Sequence, residues 1–306
     1  MNTLRIILGC LANVVLVLLV APFCEGLLRK VTARIQSRQG PPLWQPYFDL
    51  LKLLGKEDLE SGEAPLMQRF AVYLSLATVL TTACLIPLGA PVPLNTAGDA
   101  ILLIYLLTLG GVCTLLGGLA AGSTYSVLGI SREMMTMIAL EPLFAVAIVV
   151  GAVHTQSFRL ETVLHGSVYA TGGVPWSGIV LLVVMLLSFQ GFVQRVPFDI
   201  AEAETELMEG PLVEYSGPKL ALFKYAQMCR LVVHSALFVN LFLPWGSGVG
   251  FPLGWLWFWI KVFALVLFVT LVAATHARYR IDQAIRYFAG LLAVAVAALV
   301  LATYGF

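Results

Sequence analysis

Long runs of apolar residues alternate with polar connections from one end of the chain to the other. About eight of these runs approach the ~20 residues that a helix needs to cross a bilayer. They lie at Ile6–Phe23, Phe70–Gly89, Ala100–Ala121, Val127–Val153, Val174–Val193, Leu220–Leu243, Phe251–Thr275 and Tyr287–Phe306. The connection at 25–67 is long for a mere linker. Within it Tyr47, Leu50, Leu51 and Leu54 recur at i, i+3, i+4 and i+7, which predicts an amphipathic helix with Lys52 and Lys56 on its flank. Such a helix serves either as a membrane-surface anchor or as a dock for a partner. A second long connection, 194–219, holds Asp199, Glu202, Glu204, Glu206, Glu209 and Glu214, a large share of the seventeen acidic residues. Pro197 and Asp199 supply a helix start, Glu202 has capping-box spacing from Asp199, and Gly210-Pro211 supplies a stop. On that helix Glu202, Glu206 and Glu209 share one face and Glu204 lies on another.

Composition turns this pattern into a class. The chain has 306 residues, of which 59% are hydrophobic and 11% charged, with mean hydropathy +0.91. That is too little polar surface to coat a soluble globule, so the expectation is an all-α polytopic membrane protein, one transmembrane domain over 1–306. The net charge of +1 hides strong segregation. Lysine and arginine gather in the connections after the first, third, fifth and seventh spans, and only Arg5 and Arg159 sit opposite them. The positive-inside rule then expects both termini outside and the 25–67 and 194–219 loops in the cytoplasm. Residues 6–23 lack a cleavage site and are expected to remain as the first span. The five cysteines are scattered and form no C-x-x-C pair, so they read as small buried apolar residues.

Candidate chemistry is confined to a few positions. Glu141, followed by Pro142, lies near the middle of the fourth span, where a carboxylate costs a few kcal/mol and so marks a candidate site facing protein or water. Pro142 frees a backbone carbonyl and permits a kink, which suits a hydrated niche; a purely structural hydrogen-bonded role is the alternative. Arg132 and Glu133 precede it at the inner end, Arg132 about 13 Å away along the axis at 1.5 Å per residue, too far to pair directly. Arg230 and His234, four apart, share a helix face and extend a polar path, although a lone histidine also serves as an interhelical hydrogen bonder. Lys261 reads as a snorkelling residue. The clustered carboxylates cannot all stay ionised away from water, which makes the 194–219 stretch a candidate proton acceptor and donor; a solvated acidic helix is the other reading. No nucleotide fingerprint, catalytic triad or metal motif appears, and no nucleic-acid partner is expected.

Several motifs together carry a resemblance. Arg34-x-x-x-Arg38-x-Gly40-Pro41, the helix ending Lys52-Leu-Leu-Gly-Lys56-Glu57, the Arg132-to-Glu141 spacing, Arg195-Val-Pro-Phe-Asp199, Glu214-Tyr-Ser-Gly217 and Arg278-Tyr-Arg-x-Asp282 resemble the quinone-site membrane subunit of respiratory complex I over nearly the whole chain. The Gly40-Pro-Pro-Leu-Trp-Gln45, Gly129-Ile-Ser-Arg-Glu133 and Glu209-to-Gly217 segments are most similar to the energy-converting membrane-bound NiFe hydrogenases, including formate hydrogenlyase and the Ech and carbon-monoxide-linked types. The resemblance implies a non-catalytic subunit of a bacterial or archaeal plasma membrane, beneath NiFe hydrogenase large and small subunits and an iron–sulfur subunit, beside antiporter-like membrane subunits. The NiFe centre and iron–sulfur clusters would belong to those partners, with no cofactor or metal bound by this chain. It further implies a proton relay of Glu133, Glu141, Asp199, Glu202, Glu204, Glu206, Glu209 and Glu214, with Arg132, Arg195, Lys224, Arg230 and His234 as charge partners. Arg34, Arg38, Asp49, Lys52, Lys56, Arg278, Arg280 and Asp282 would dock the cytoplasmic arm. Two departures, Phe192 and Gln227 where relatives carry glutamate, imply a thinner or differently routed relay. The wall of a quinone chamber is the alternative function.

Overall fold

The computed structural model describes residues 2–59, 64–89, 94, 98–164, 166, 168–169, 175–202, 204–246, 250 and 252–305, with only the backbone of residues 2, 3, 5, 204 and 205. The apolar runs fold as helices: α1 (Asn2–Ile35), α3 (Pro65–Leu85), α4 (Ala100–Ala121), α5 (Thr124–Thr155), α7 (Trp176–Phe192), α9 (Gly217–Phe242), α10 (Leu253–Thr275) and α11 (Ile281–Thr303). Short helices lie between them: α2 (Gln45–Leu54), α6 (Leu160–Val163), α8 (Glu204–Leu207) and a 3-10 turn, Gly210–Leu212. The only extended pairing among the described residues is a single bridge between Asp99 and Arg159.

The expected count of about eight spans is reduced on length and composition, because six helices, α1, α3, α4, α5, α10 and α11, are long and apolar enough to cross a membrane. The run 174–193 yields α7, with only 17 helical residues, about 26 Å at 1.5 Å per residue against a ~30 Å hydrocarbon core. The run 220–243 yields α9, which carries Lys219, Lys224 and Arg230 and is the most enclosed helix of the bundle. Charges survive on α9 because protein, and not lipid, surrounds it; it packs against α1, α2, α3, α7 and α10. At the end of the bundle that carries the long loops, Arg195 meets Glu25, Arg132 meets Glu206 and Arg278 meets Asp199. At the opposite end Gly166 N–H donates to Asn240 O and Asn240 Nδ2 to Pro87 O.

Two local expectations change. The first span does not stop at Phe23: α1 runs on to Ile35, so the 25–67 connection begins as helix and carries Glu25, Arg29 and Arg34. The amphipathic helix is present as α2, but its sides divide differently. Pro46 and Leu50 are buried, whereas Trp44, Phe48, Leu51 and Leu54 are exposed. Tyr47 OH donates to Leu19 O, and the Trp44 ring lies tilted at 6.1 Å from Phe23, so α2 lies against the apolar part of α1 with its other face exposed.

The capped helix expected from Asp199 to Glu209 does not form. Asp199 is not a cap but pairs with Arg278 at 3.0 Å, and Tyr279 N–H donates to Pro197 O at 2.9 Å. Phe198 is buried among Tyr279, Tyr287 and Phe288, with centroids 4.6–5.4 Å apart. Burying such a ring is worth about 2 kcal/mol, enough to outweigh a local capping preference of about 1 kcal/mol. Further on, Gly210 adopts φ +55°, and a Cβ there would lie 2.0 Å from Ala201 O. The turn seats on α5 at Gly129, where a Cβ would fall 2.9 Å from Pro211 N. The acidic stretch is therefore moulded to the bundle end as an irregular loop with one short helix.

Candidate functional site

Inside the bundle a cavity of about 80 Å³ lies among α4, α5, α7, α9 and α11. Glu133 and Glu141 line it from α5, eight residues and about 12 Å apart along the axis. Arg230 and His234 line it from α9, and Asp199 and Glu202 from the loop. Phe144, Phe192, Phe198 and Phe288 form its apolar part. A second cavity, about 240 Å³, opens at the loop end and is lined by Glu25, Arg29, Arg195, Glu209, Lys224 and Gln227 among others. Gln194, Asp199, Glu202 and Arg230 line both. The two spaces therefore meet at those four side chains, and each has room for several water molecules with polar partners.

The contacts at the meeting point are specific. Gln194 Nε2 donates to Glu133 Oε1, and Gln194 Oε1 accepts from Arg230 Nη1 at 3.0 Å. Arg230 Nη2 donates to Gly110 O at 3.2 Å, so α9 is tied to α4 there. Gln227 Nε2 donates to Glu202 Oε1. Burial first, then the nearby charges of Asp199 and Glu133, push the Glu202 carboxyl from 4.5 up to about 7, against the opposing pull of Arg195. A group poised there exchanges its proton near neutrality. His234 Nδ1 donates to Arg230 O at 2.9 Å, which leaves Nε2 as the acceptor in the neutral ring, and the ring stacks on Phe192. Phe192 thus occupies the wall that a carboxylate would share with His234, and Gln227 turns a potential acid into a fixed donor.

Other carboxylates are held by cations. Glu25 accepts from Arg195 Nη2 and, at 3.2 Å, from Arg29 Nε. Arg29 also pairs with Asp49 at 2.9 Å, which fastens α2 to α1. The Glu25 charge holds the Arg195 guanidinium above its ordinary value, against the opposing effect of partial burial. Glu209 pairs with Lys224 at 3.0 Å beside the second cavity. Arg132 pairs at 2.6 Å with Glu206 and thus lies outside both cavities, not on a line towards Glu141. That contact draws the exposed Glu206 carboxyl below the ordinary range. Because no helix spans 199–209, Glu202, Glu206 and Glu209 do not share a face: each meets a different partner on a different element. Glu214 is half-buried and lines neither cavity, and the side chain of Glu204 lies outside the described residues.

The chain that carries this arrangement is similar to known proteins over most of its length. The family described as NADH dehydrogenase matches residues 8–303. The chain belongs to that NADH dehydrogenase family. Among its relatives, hydrogenase-4 component C of Escherichia coli K12 is 37% identical over 246 residues, 79% of this chain and 76% of that protein. Formate hydrogenlyase subunit 4 of the same organism is 33% identical over 275 residues, covering 86% and 88% of the two chains. Among solved structures, a chain of the membrane-bound sulfane sulfur reductase, an archaeal respiratory membrane complex, superposes with TM-score 0.86 at 26% identity over 97% of this chain and 99% of that one.

Within this NADH dehydrogenase family member, three residues that line the second cavity, Glu25, Arg29 and Gln194, were missed in the sequence. Glu25 and Arg29 stand at i and i+4 next to an apolar run, a spacing that signals an ion pair on a continuing helix. Gln194, beside the Arg195-Val-Pro-Phe motif, gave no signal, because an uncharged amide at a span end is commonplace. Of the residues expected to dock a partner, Arg34, Arg38, Lys52, Lys56, Arg280 and Asp282 are exposed, whereas Asp49 and Arg278 hold internal ion pairs. No group of three metal-ligating side chains occurs among the described residues.

Proposed function

We propose that this chain is the membrane-anchoring and energy-coupling subunit of a redox-driven ion-pumping complex, joining a cytoplasmic NiFe hydrogenase module to antiporter-like subunits that move protons or sodium ions. One observation carries the reading: the two cavities share the side chains of Gln194, Asp199, Glu202 and Arg230, which puts the space at the loop end next to the one that Glu141 lines. Redox turnover in the partner module changes charge beside the acidic loop, and the carboxylates Glu202, Asp199, Glu133 and Glu141 transmit it to the membrane arm. The relatives named above support a hydrogenase-type assembly. Lysine and arginine on the loop end support an orientation with that end in the cytoplasm and both termini outside, in a bacterial or archaeal plasma membrane. In that orientation α7 and α9 complete eight crossings, with α9 shielded by the rest. The exposed Arg34, Arg38, Lys52, Lys56, Arg280 and Asp282 then face the hydrogenase arm. The chain itself holds no redox centre in this reading; the NiFe centre and iron–sulfur clusters reside in the large, small and iron–sulfur subunits.

The test uses sealed vesicles containing the whole complex, with ion uptake and hydrogen evolution measured together. Glu141→Gln removes the proton-binding site while preserving size, so the ions moved per hydrogen evolved should fall severalfold, and Glu141→Asp should keep part of the coupling. Undiminished coupling in the Gln variant would reduce Glu141 to a structural hydrogen bonder. The aromatic wall of the first cavity, Phe144, Phe192, Phe198 and Phe288, favours a second reading as part of a quinone chamber. Hydrogen evolution that requires added quinone would select it.

A further inference from the structure

Gln194 stands where the two cavities meet, and its backbone explains why it reaches there. Helix α7 ends in a tight reversal: Val193 N–H donates to Phe189 O at 3.2 Å, Gln194 N–H to Gly191 O at 3.0 Å and Arg195 N–H to Gln190 O at 3.1 Å. Gln194 itself has φ +55°, a left-handed conformation that a residue with a Cβ adopts only where its surroundings favour it. The reversal brings the side chain between α5 and α9, where one amide serves both helices. Its NH2 group donates to the Glu133 carboxylate and its carbonyl accepts from the Arg230 guanidinium at 3.0 Å. Among the described residues no ion pair joins Glu133 to Arg230 directly.

We propose that Gln194 is a positioning residue that spaces Glu133 from Arg230 and so keeps this carboxylate of the first cavity out of a locked ion pair. This deepens the coupling reading above and rests on it. The physical reason is the difference between an amide and a salt bridge in a sparsely hydrated interior. A guanidinium pressed onto a buried carboxylate holds it as an anion with a rigid partner. An interposed amide orients its dipole along the charge axis, satisfies both groups and leaves the carboxylate free to gain or release a proton. Glutamine fits the gap because its two ends are a donor and an acceptor with no net charge. Methionine offers neither function, and its flexible, unbonded chain yields the gap to the two charged groups; asparagine is one methylene too short to reach both partners.

The experiment is a double-substitution cycle in sealed vesicles carrying the complete complex, read as ions moved per electron pair. Gln194→Met lets Arg230 close onto Glu133, and the ratio is expected to drop severalfold. Combining it with Arg230→Gln removes the cation that does the locking, so the double variant should regain part of what Gln194→Met lost. A merely structural clamp gives the opposite sign, because removing a second partner from a hydrogen-bonded cluster makes assembly and coupling worse. The proposal is overturned if the double variant is no better than Gln194→Met, or if Gln194→Met couples like the parent. Should Gln194→Met fail to assemble, Gln194→Asn carries the same cycle; failure of both to assemble makes Gln194 a clamp and also overturns it. Loss of coupling in Glu141→Gln but not in Gln194→Met sinks the spacer alone, whereas full coupling in both sinks the path reading on which it rests.

Discussion

The loop end and the interior of the bundle treat their carboxylates in opposite ways. At the loop end Glu25, Asp199, Glu206 and Glu209 each meet an arginine or lysine within 3.2 Å. In the interior Glu133 and Glu202 are met by the amides of Gln194 and Gln227. Asp199 belongs to both groups, since it is paired and still lines both cavities. The cation-paired carboxylates tie separate segments of the chain together. The amide-held carboxylates meet neutral partners that add no charge of their own, which is what the proposed relay calls for. The same residue type thus meets cations at one end and amides further in, and under the proposed function the partner decides which carboxylates serve as scaffold and which as relay.

The largest effect that sharpens this contrast lies at Glu25. Its side chain is 6% exposed and serves two arginines. Glu25→Gln leaves both without their anion and should lower the stability of the purified complex by about 2–3 kcal/mol, tempered by the partial exposure of the arginines. Thermal unfolding in detergent measures it. An unchanged midpoint would remove the distinction between scaffold and switch.

A smaller effect, with a pH signature, belongs to Glu202. Its pKa rises from 4.5 to about 7 on folding, so between those values the folded chain binds more protons than the unfolded one. The contribution is fully present below about pH 4.5, declines as pH rises and is lost above about pH 7. Glu202→Gln should therefore flatten the stability profile over that window and leave the variant more stable than the parent at pH 8, by about 2 kcal/mol. A parental profile that rises with pH in this range would show Glu202 to be held as an anion like its neighbours at the loop end.

The smallest effect is expected at Glu206. Arg132 lowers its pKa through a hydrogen bond and through charge, so its contribution is present above the ordinary carboxylate range and fades as pH falls. The pair is exposed, and Glu206→Gln should change neither stability nor the ion-to-electron ratio measurably at neutral pH. A marked loss of coupling in that variant would extend the switchable group to the surface and weaken the contrast.

Much of the fold was legible in the pattern of apolar residues. The runs that became α1, α3, α4, α5, α10 and α11 are apolar over enough consecutive positions that bilayer thickness alone makes them spans. Glu141 was legible for the same reason, as a carboxylate without a solvated explanation in such a run. The acidic stretch was legible in composition and misread in conformation. Its capping signals are real but weak, and the contacts of Phe198 and Asp199 with Tyr279 and Arg278, about 80 residues away, override them.

By itself, then, the chain's pattern determined membrane residence and most helix positions, because helix formation in a bilayer depends on local, consecutive hydrophobicity, and it singled out many, not all, of the polar side chains that line the two cavities. Only the tertiary structure decided which carboxylate meets a cation and which an amide. Glu25 finds Arg195 across 170 residues and Glu133 finds Gln194 across 61. Such pairings depend on how the end of α7 turns and on which face of α9 is enclosed, and neither leaves a periodic trace in the residues themselves.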